Sequence, residues 1–161
     1  MAYSIYDASI PPLINMLGSL SSVLAKGDAH GGIDPAEARL APDMLPLKAQ
    51  VYIATDAAKG CGGRLAGADI PKYEDTETTF AELEARIAKT IAFLKSLDKA
   101  AFEGAENKHV ILKFPTSTLE FSGIDYVNKF VLPNTYFHIS TAYGILRNLG
   151  VKLGKSDYLG G

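Results

Sequence analysis

Three polar side chains interrupt an apolar helical seam near the end of the chain. Val127, Val131, Asn134, His138, Thr141 and Ile145 recur at alternating spacings of four and three, the repeat of a helix face packed inside a bundle. Its ends are apolar, and Asn134, His138 and Thr141 stack in its middle. Burying such groups unpaired is costly, so they must be hydrogen-bonded, hydrated or turned toward a ligand. An imidazole at that position can move a proton near neutral pH or ligate a metal. It serves equally well as a core histidine satisfied by a nearby hydroxyl or carbonyl. Gln50 borders a second seam, one residue before Val51. If the two helices face each other, Gln50, Asn134 and His138 converge; otherwise Gln50 is an edge glutamine bonded to water. Gln50, Asn134, His138 and Thr141 are therefore the candidate pocket residues.

The remaining chemistry-bearing residues carry weaker signals. His30 falls in a Gly-rich loop and His109 at the start of a strand, neither with a second His or Cys at ligand spacing. Cys61 lies on the second seam and reads as a small buried residue rather than a nucleophile. The run Gly60-Cys61-Gly62-Gly63 lacks the Lys-Ser/Thr and the preceding strand of a phosphate loop. No serine sits on a recognisable nucleophile elbow.

Four helical patterns must position these residues. The first covers about residues 4–26, with Ile10, Leu13, Ile14, Leu17, Leu20 and Leu24 on one face. Pro11 and Pro12 predict a kink or a restart, and the Gly-rich run after Lys26 predicts its end. Asp34-Pro35 predicts one short turn. The second helix is expected from near Asp43, with Leu47, Val51, Ala54, Ala58, Cys61 and Leu65 as its seam. The third opens on a capping box, Thr79 with Glu82. Phe80, Leu83, Ile87, Ile91 and Leu94 form its inner face, and Glu82 with Arg86 is expected as an outer i,i+4 pair. Asp98 is expected to cap a short turn.

The period then changes. Val110, Leu112 and Phe114, and across a Pro115-Thr116-Ser117 turn Leu119 and Phe121, alternate as in a β-hairpin. The fourth helix is expected over residues 123–148 with a kink at Pro133. Phe130 and Phe137 are seven apart and are expected to share a face against the bundle. The tail after Val151 reads as irregular. The predicted architecture is a single all-α domain over residues 1–161, a four-helix bundle with a small β-hairpin inserted between helices 3 and 4.

Composition narrows the function classes. The chain has 161 residues, 47% apolar and 21% charged, the balance of one compact domain. Sixteen Lys and Arg oppose eighteen Asp and Glu, a net charge of −2. No basic surplus exists to neutralise a phosphate backbone, so nucleic acid is not an expected partner. One cysteine excludes an internal disulfide framework and a Cys-based zinc site. No basic residue precedes Lys26, and no apolar run approaches the roughly 20 residues that span a bilayer. The expectation is a cytoplasmic protein without membrane contact.

Residues 134–150, NTYFHISTAYGILRNLG, resemble the last helix of the DinB/YfiT-like superfamily of metalloenzyme-like bundles. Members of that superfamily commonly carry a His pair four apart and a closing Leu-Arg-x-x-Gly; here the ending is Leu146-Arg147-Asn148-Leu149-Gly150, and Asn134 and His138 stand at the pair. The segments YDASIPPL, LAPDMLPLKAQVYIATDAAKG, ETTFAELEARIAKTIAFL and FSGIDYVNKFVLPNTYFHISTAYGILRNLGVKLGKSDYLG extend the resemblance to a branch that is a domain family of unknown function. The resemblance implies the bundle fold, a homodimer, and a divalent metal held by three histidines. In that register His138 matches one ligand, while Asn134 and Gln50 replace the other two. Amides are weak ligands for the borderline ions that prefer imidazole or thiolate. A carboxylate from Asp43, Asp56 or Asp125 would have to complete such a site, although spacing puts Asp56 off the seam, and Asp43 and Asp125 suit helix starts.

Two readings follow. The first is a DinB-like bundle with a degraded metal site, which needs no cofactor and binds a small molecule or a protein. The second is a metal-dependent enzyme, thiol-transferase-like or hydrolase-like, centred on His138, or one that uses His138 alone as a general base. Whether ligand-grade side chains converge on His138 decides between them.

Overall fold

The computed structural model describes residues 4–160. Helix α1 spans Ile5–His30, α2 Leu47–Ala66 and α3 Phe80–Ser96, followed by two 3-10 turns at Lys99–Phe102 and Ala105–Asn107. Strands β1 (His109–Lys113) and β2 (Thr118–Ser122) form an antiparallel hairpin. A continuous helical run then comprises α4 (Gly123–Asp125), a π-helical segment (Tyr126–Val131) and α5 (Leu132–Asn148), and α6 (Lys155–Leu159) ends the chain. Helix α2 lies between α3 and α5, and α1 closes the ring by packing on the same two helices. This is the expected four-helix bundle with a hairpin between its third and fourth helices.

Local chemistry sets most element starts. Ser4 caps α1 by accepting from the Asp7 amide, and the Asp7 carboxylate accepts from the Ser4 amide. Thr79 and Glu82 form the expected capping box on α3, and Asp98 caps its short turn by accepting from the Ala100 amide. Thr79→Ala removes one half of the α3 box and is expected to cost about 1 kcal/mol. Denaturant unfolding measures this; no change would mean that the Glu82 carboxylate suffices alone.

Several boundaries depart from the sequence reading. Helix α1 runs unbroken through Pro11 and Pro12 and continues past Lys26 to His30. Gly27 stays helical because it lies under α5 and α3, where a Cβ would stand 2.9 Å from Leu146 and 3.1 Å from Phe80. Helix α2 starts at Leu47 rather than Asp43, since Leu45 precedes Pro46 and is pushed out of the helical region. The tail forms α6, fixed by an Asp157 carboxylate that accepts from the Gly154 amide at 2.8 Å and pairs with Lys26 at 2.6 Å. By length and composition α1 is also apolar enough to cross a membrane, contrary to the sequence expectation. Its interspersed Ser, Gly and Pro hide that average, and half of the relevant window is buried in the bundle.

The hairpin and the fourth helix also differ in detail. Val110 and Leu112 enter the core, but Leu119 and Phe114 near the tip remain 38% and 45% exposed. At Pro133 the helix does not follow a regular α-helical path. Instead the helix widens just before it, where the Leu132 amide bonds to the Val127 carbonyl five residues back. A proline ring clashes with the carbonyl four residues back in a regular helix, and the wider turn is one way to relieve that clash. Around the widening the face shifts locally: Val127, Val131, His138, Thr141 and Ile145 are buried as expected, Thr135 and Ala142 join them, and Asn134 is displaced to the edge. Phe130 and Phe137 therefore part company. Phe130 packs with the hairpin aromatics, while Phe137 is 57% exposed.

Candidate functional site

Helices α2 and α5 face each other and bring two of the four sequence candidates together. The His138 Nδ1 and Gln50 Oε1 lie 2.6 Å apart, both residues buried. The Gln50 Nε2 donates to the Leu45 carbonyl at 3.0 Å. That carbonyl can only accept, which fixes the orientation of the amide and turns its oxygen toward the ring. The oxygen in turn can only accept, so Nδ1 carries the proton and Nε2 the lone pair. Burial holds the imidazole below the ordinary histidine range, so the ring is neutral at pH 7.

Among the described residues, neither of the other two candidates hydrogen-bonds to this pair. The Thr141 hydroxyl donates to the Phe137 carbonyl of its own helix at 2.7 Å. Asn134 is half-buried and lines a separate cleft of about 230 Å³ between α2, the hairpin and the π-helical segment. Thr135, which the sequence reading passed over, occupies the innermost position instead. It is fully buried, and its Oγ1 has no hydrogen-bond partner among the described residues. Pro133 was the available signal, because relief of its clash moves the register by about one residue.

The cleft beside Asn134 has aromatic walls. Phe114, Phe121, Tyr126 and Phe130 form a cluster with ring centroids 6.0–6.3 Å apart. Arg64 reaches it from the last turn of α2 and donates to the Tyr126 hydroxyl at 3.1 Å. Asp56 also lines it, but its carboxylate is engaged by Lys59 at 3.0 Å and Arg86 at 2.9 Å. A larger hollow of about 810 Å³ lies between the start of α1, the 3-10 turns and α4. The one cation lining it among the described residues, Lys99, is paired with Asp7 at 2.7 Å.

Arg86 is a correction to the sequence reading. It is not an outer partner of Glu82 but a buried hub. Its guanidinium bonds Thr55 at 2.8 Å, Asp56 at 2.9 Å, Asp75 at 2.7 Å and Glu77 at 3.1 Å. It also lies 4.6 and 4.8 Å from the Tyr52 and Tyr73 ring centroids. Glu82 is taken up by the Thr78 and Thr79 amides. Asp125 pairs with Lys129 at 2.9 Å, and His109 with Glu120 at 2.9 Å. Cys61 is buried and its thiol is pushed up to about 12, so it is not a nucleophile at neutral pH.

These donors do not fit a three-ligand transition-metal centre. Among the described residues, no three His, Cys, Asp or Glu side chains group as metal ligands. Gln50 spends its oxygen on His138 rather than pointing it alongside a free imidazole nitrogen.

The fold and this site together define a DinB-like four-helix bundle. Over 97% of its length the chain superposes on the crystal structure of a DinB family member protein from Shewanella denitrificans, at 37% identity and a TM-score of 0.83, covering 92% of that chain. Residues 5–159 match the family model DUF1993, a domain of unknown function. The chain belongs to that family. No curated protein matches it.

Proposed function

We propose that this protein is a metal-independent, small-molecule-binding bundle whose binding site is the cleft beside Asn134. The observation that carries the reading is the bond between His138 and Gln50. A glutamine that accepts from one imidazole nitrogen and donates to Leu45 has its amide committed at both ends. The pair is then a structural tie between α2 and α5, and the open space with unspent polar groups lies about one helical turn away, at Asn134. The enzyme reading draws on the Nε2 lone pair of a neutral imidazole, which suits a general base. His138 does not line the cleft, which favours binding over catalysis.

Elemental analysis of untagged protein, purified without a metal-chelating column, tests the metal half of the proposal. The expected result is no stoichiometric metal, even after incubation with zinc, nickel, manganese and calcium salts. A near-stoichiometric metal lost in His138→Ala would overturn it and restore the enzyme reading.

A further inference from the structure

We infer that the cleft beside Asn134 binds a small aromatic carboxylate of about benzoate size. The inference deepens the small-molecule reading and rests on it.

The charge in the cleft is the first argument. Arg64 has no carboxylate partner among the described residues; its polar contact is a neutral hydroxyl. Asp56, the one acid lining the cleft among the described residues, is already shared between Lys59 and Arg86. Lys113 adds a second cation at the exposed hairpin edge. The cleft therefore presents unmatched positive charge.

Hydrogen-bonding capacity is the second. Tyr126 Oη accepts from Arg64, and no described group accepts its own proton. Burial pushes that hydroxyl up to about 12, so it keeps the proton. The Asn134 side chain makes no hydrogen bond within the described residues and lines the same cleft. A guanidinium, a phenol O–H and an amide N–H are thus all available, and a carboxylate is an acceptor for each. Gly60 accommodates the arrangement. A Cβ there would stand 2.3 Å from the Arg64 Nη1, so glycine leaves room for the guanidinium to fold back over α2 to Tyr126 in this position.

Size and walls are the third. The volume of about 230 Å³ exceeds the roughly 150 Å³ that admits benzene. It falls below the ~300–1,000 Å³ of pockets for drug-sized ligands. Phe114 and Phe130, 6.3 Å apart by centroid, supply apolar faces for a single ring.

Amide chemical-shift titrations of the intact protein with benzoate, benzamide and benzylamine test this. Benzoate is expected to give saturable shifts at Ala57, Leu112 and Phe130, with neutral benzamide at least about tenfold weaker. Arg64→Gln is expected to weaken benzoate at least about tenfold and benzamide by clearly less, since only the carboxylate loses a charged partner. If that variant fails to fold, the wild-type comparison of the two probes decides. Equal binding of benzoate and benzamide, or undiminished benzoate binding in folded Arg64→Gln, overturns the inference. So does the absence of any benzoate shift. Benzamide or benzylamine binding at these amides without benzoate would sink the carboxylate and leave the small-molecule reading standing. No binding by any of the three, with a stoichiometric metal present, would sink both.

Discussion

Replacing Arg86 with alanine is expected to destabilise the protein by about 3 kcal/mol or more, at the low end of the ~3–5 kcal/mol typical when one member of a buried ion pair is removed. The guanidinium is completely shielded from solvent, while its partners are not: Glu77 is 13% exposed, and Asp56 and Asp75 are 44% and 48% exposed. Water will therefore rescue two of the three carboxylates, which is why the low end applies. The variant also empties the space between Tyr52 and Tyr73 and leaves Thr55 Oγ1 without its long-range donor. For a chain of this size the melting temperature should fall by roughly 10 °C. Arg86→Lys should recover little, because an ammonium cannot serve four acceptors and two ring faces in that planar geometry. The hub ties Asp75 and Glu77 of the segment between α2 and α3 to the bundle, and it engages the Asp56 carboxylate that lines the cleft. Arg86→Ala should thus also disturb the cleft. A loss below about 1 kcal/mol, the range of an exposed ion pair, would mean that the hub is fully hydrated in solution.

Gln50→Leu is the second large effect, expected to cost about 1–3 kcal/mol. It removes the acceptor of the His138 Nδ1–H and the donor to the Leu45 carbonyl, so two groups lose partners together. The pH dependence separates this from simple repacking. Burial lowers the folded-state pKa of His138 below its ordinary value of 6.5. As pH falls through about 6.5, the unfolded chain takes up this proton first, so wild-type stability declines on acidification until the folded pKa is passed. Gln50→Glu places a carboxylate at the same acceptor position and should raise the imidazole pKa instead. Stability contributed by that pair is then present at low pH and is lost as pH rises through the raised value. The His138 ring resonances followed by NMR from pH 4 to 8 report both signs. An unshifted titration midpoint in Gln50→Glu would show that the pair is not formed.

The sequence by itself determined the elements whose signals are local. The Thr79–Glu82 box, the Asp98 turn and the hairpin rest on short-range contacts and appear in the structure, as do most residues of the four apolar seams, whose spacing is a local signal. It also singled out Gln50 and His138, because a polar residue at a seam position is conspicuous whatever faces it. Tertiary structure alone decided what these groups do. Gln50 and His138 are 88 residues apart in the chain, and whether they meet depends on the rotation of α5 about its axis. The π-helical turn before Pro133 sets that rotation: it carries Thr135 inward and Asn134 out to the cleft. Arg86 shows the same limit. Its spacing from Glu82 is that of a surface pair, yet carboxylates from α2 and the following loop draw it inward. Spacing along one helix encodes which residues share a face. Which face is buried, and against what charge, is settled only when the helices pack.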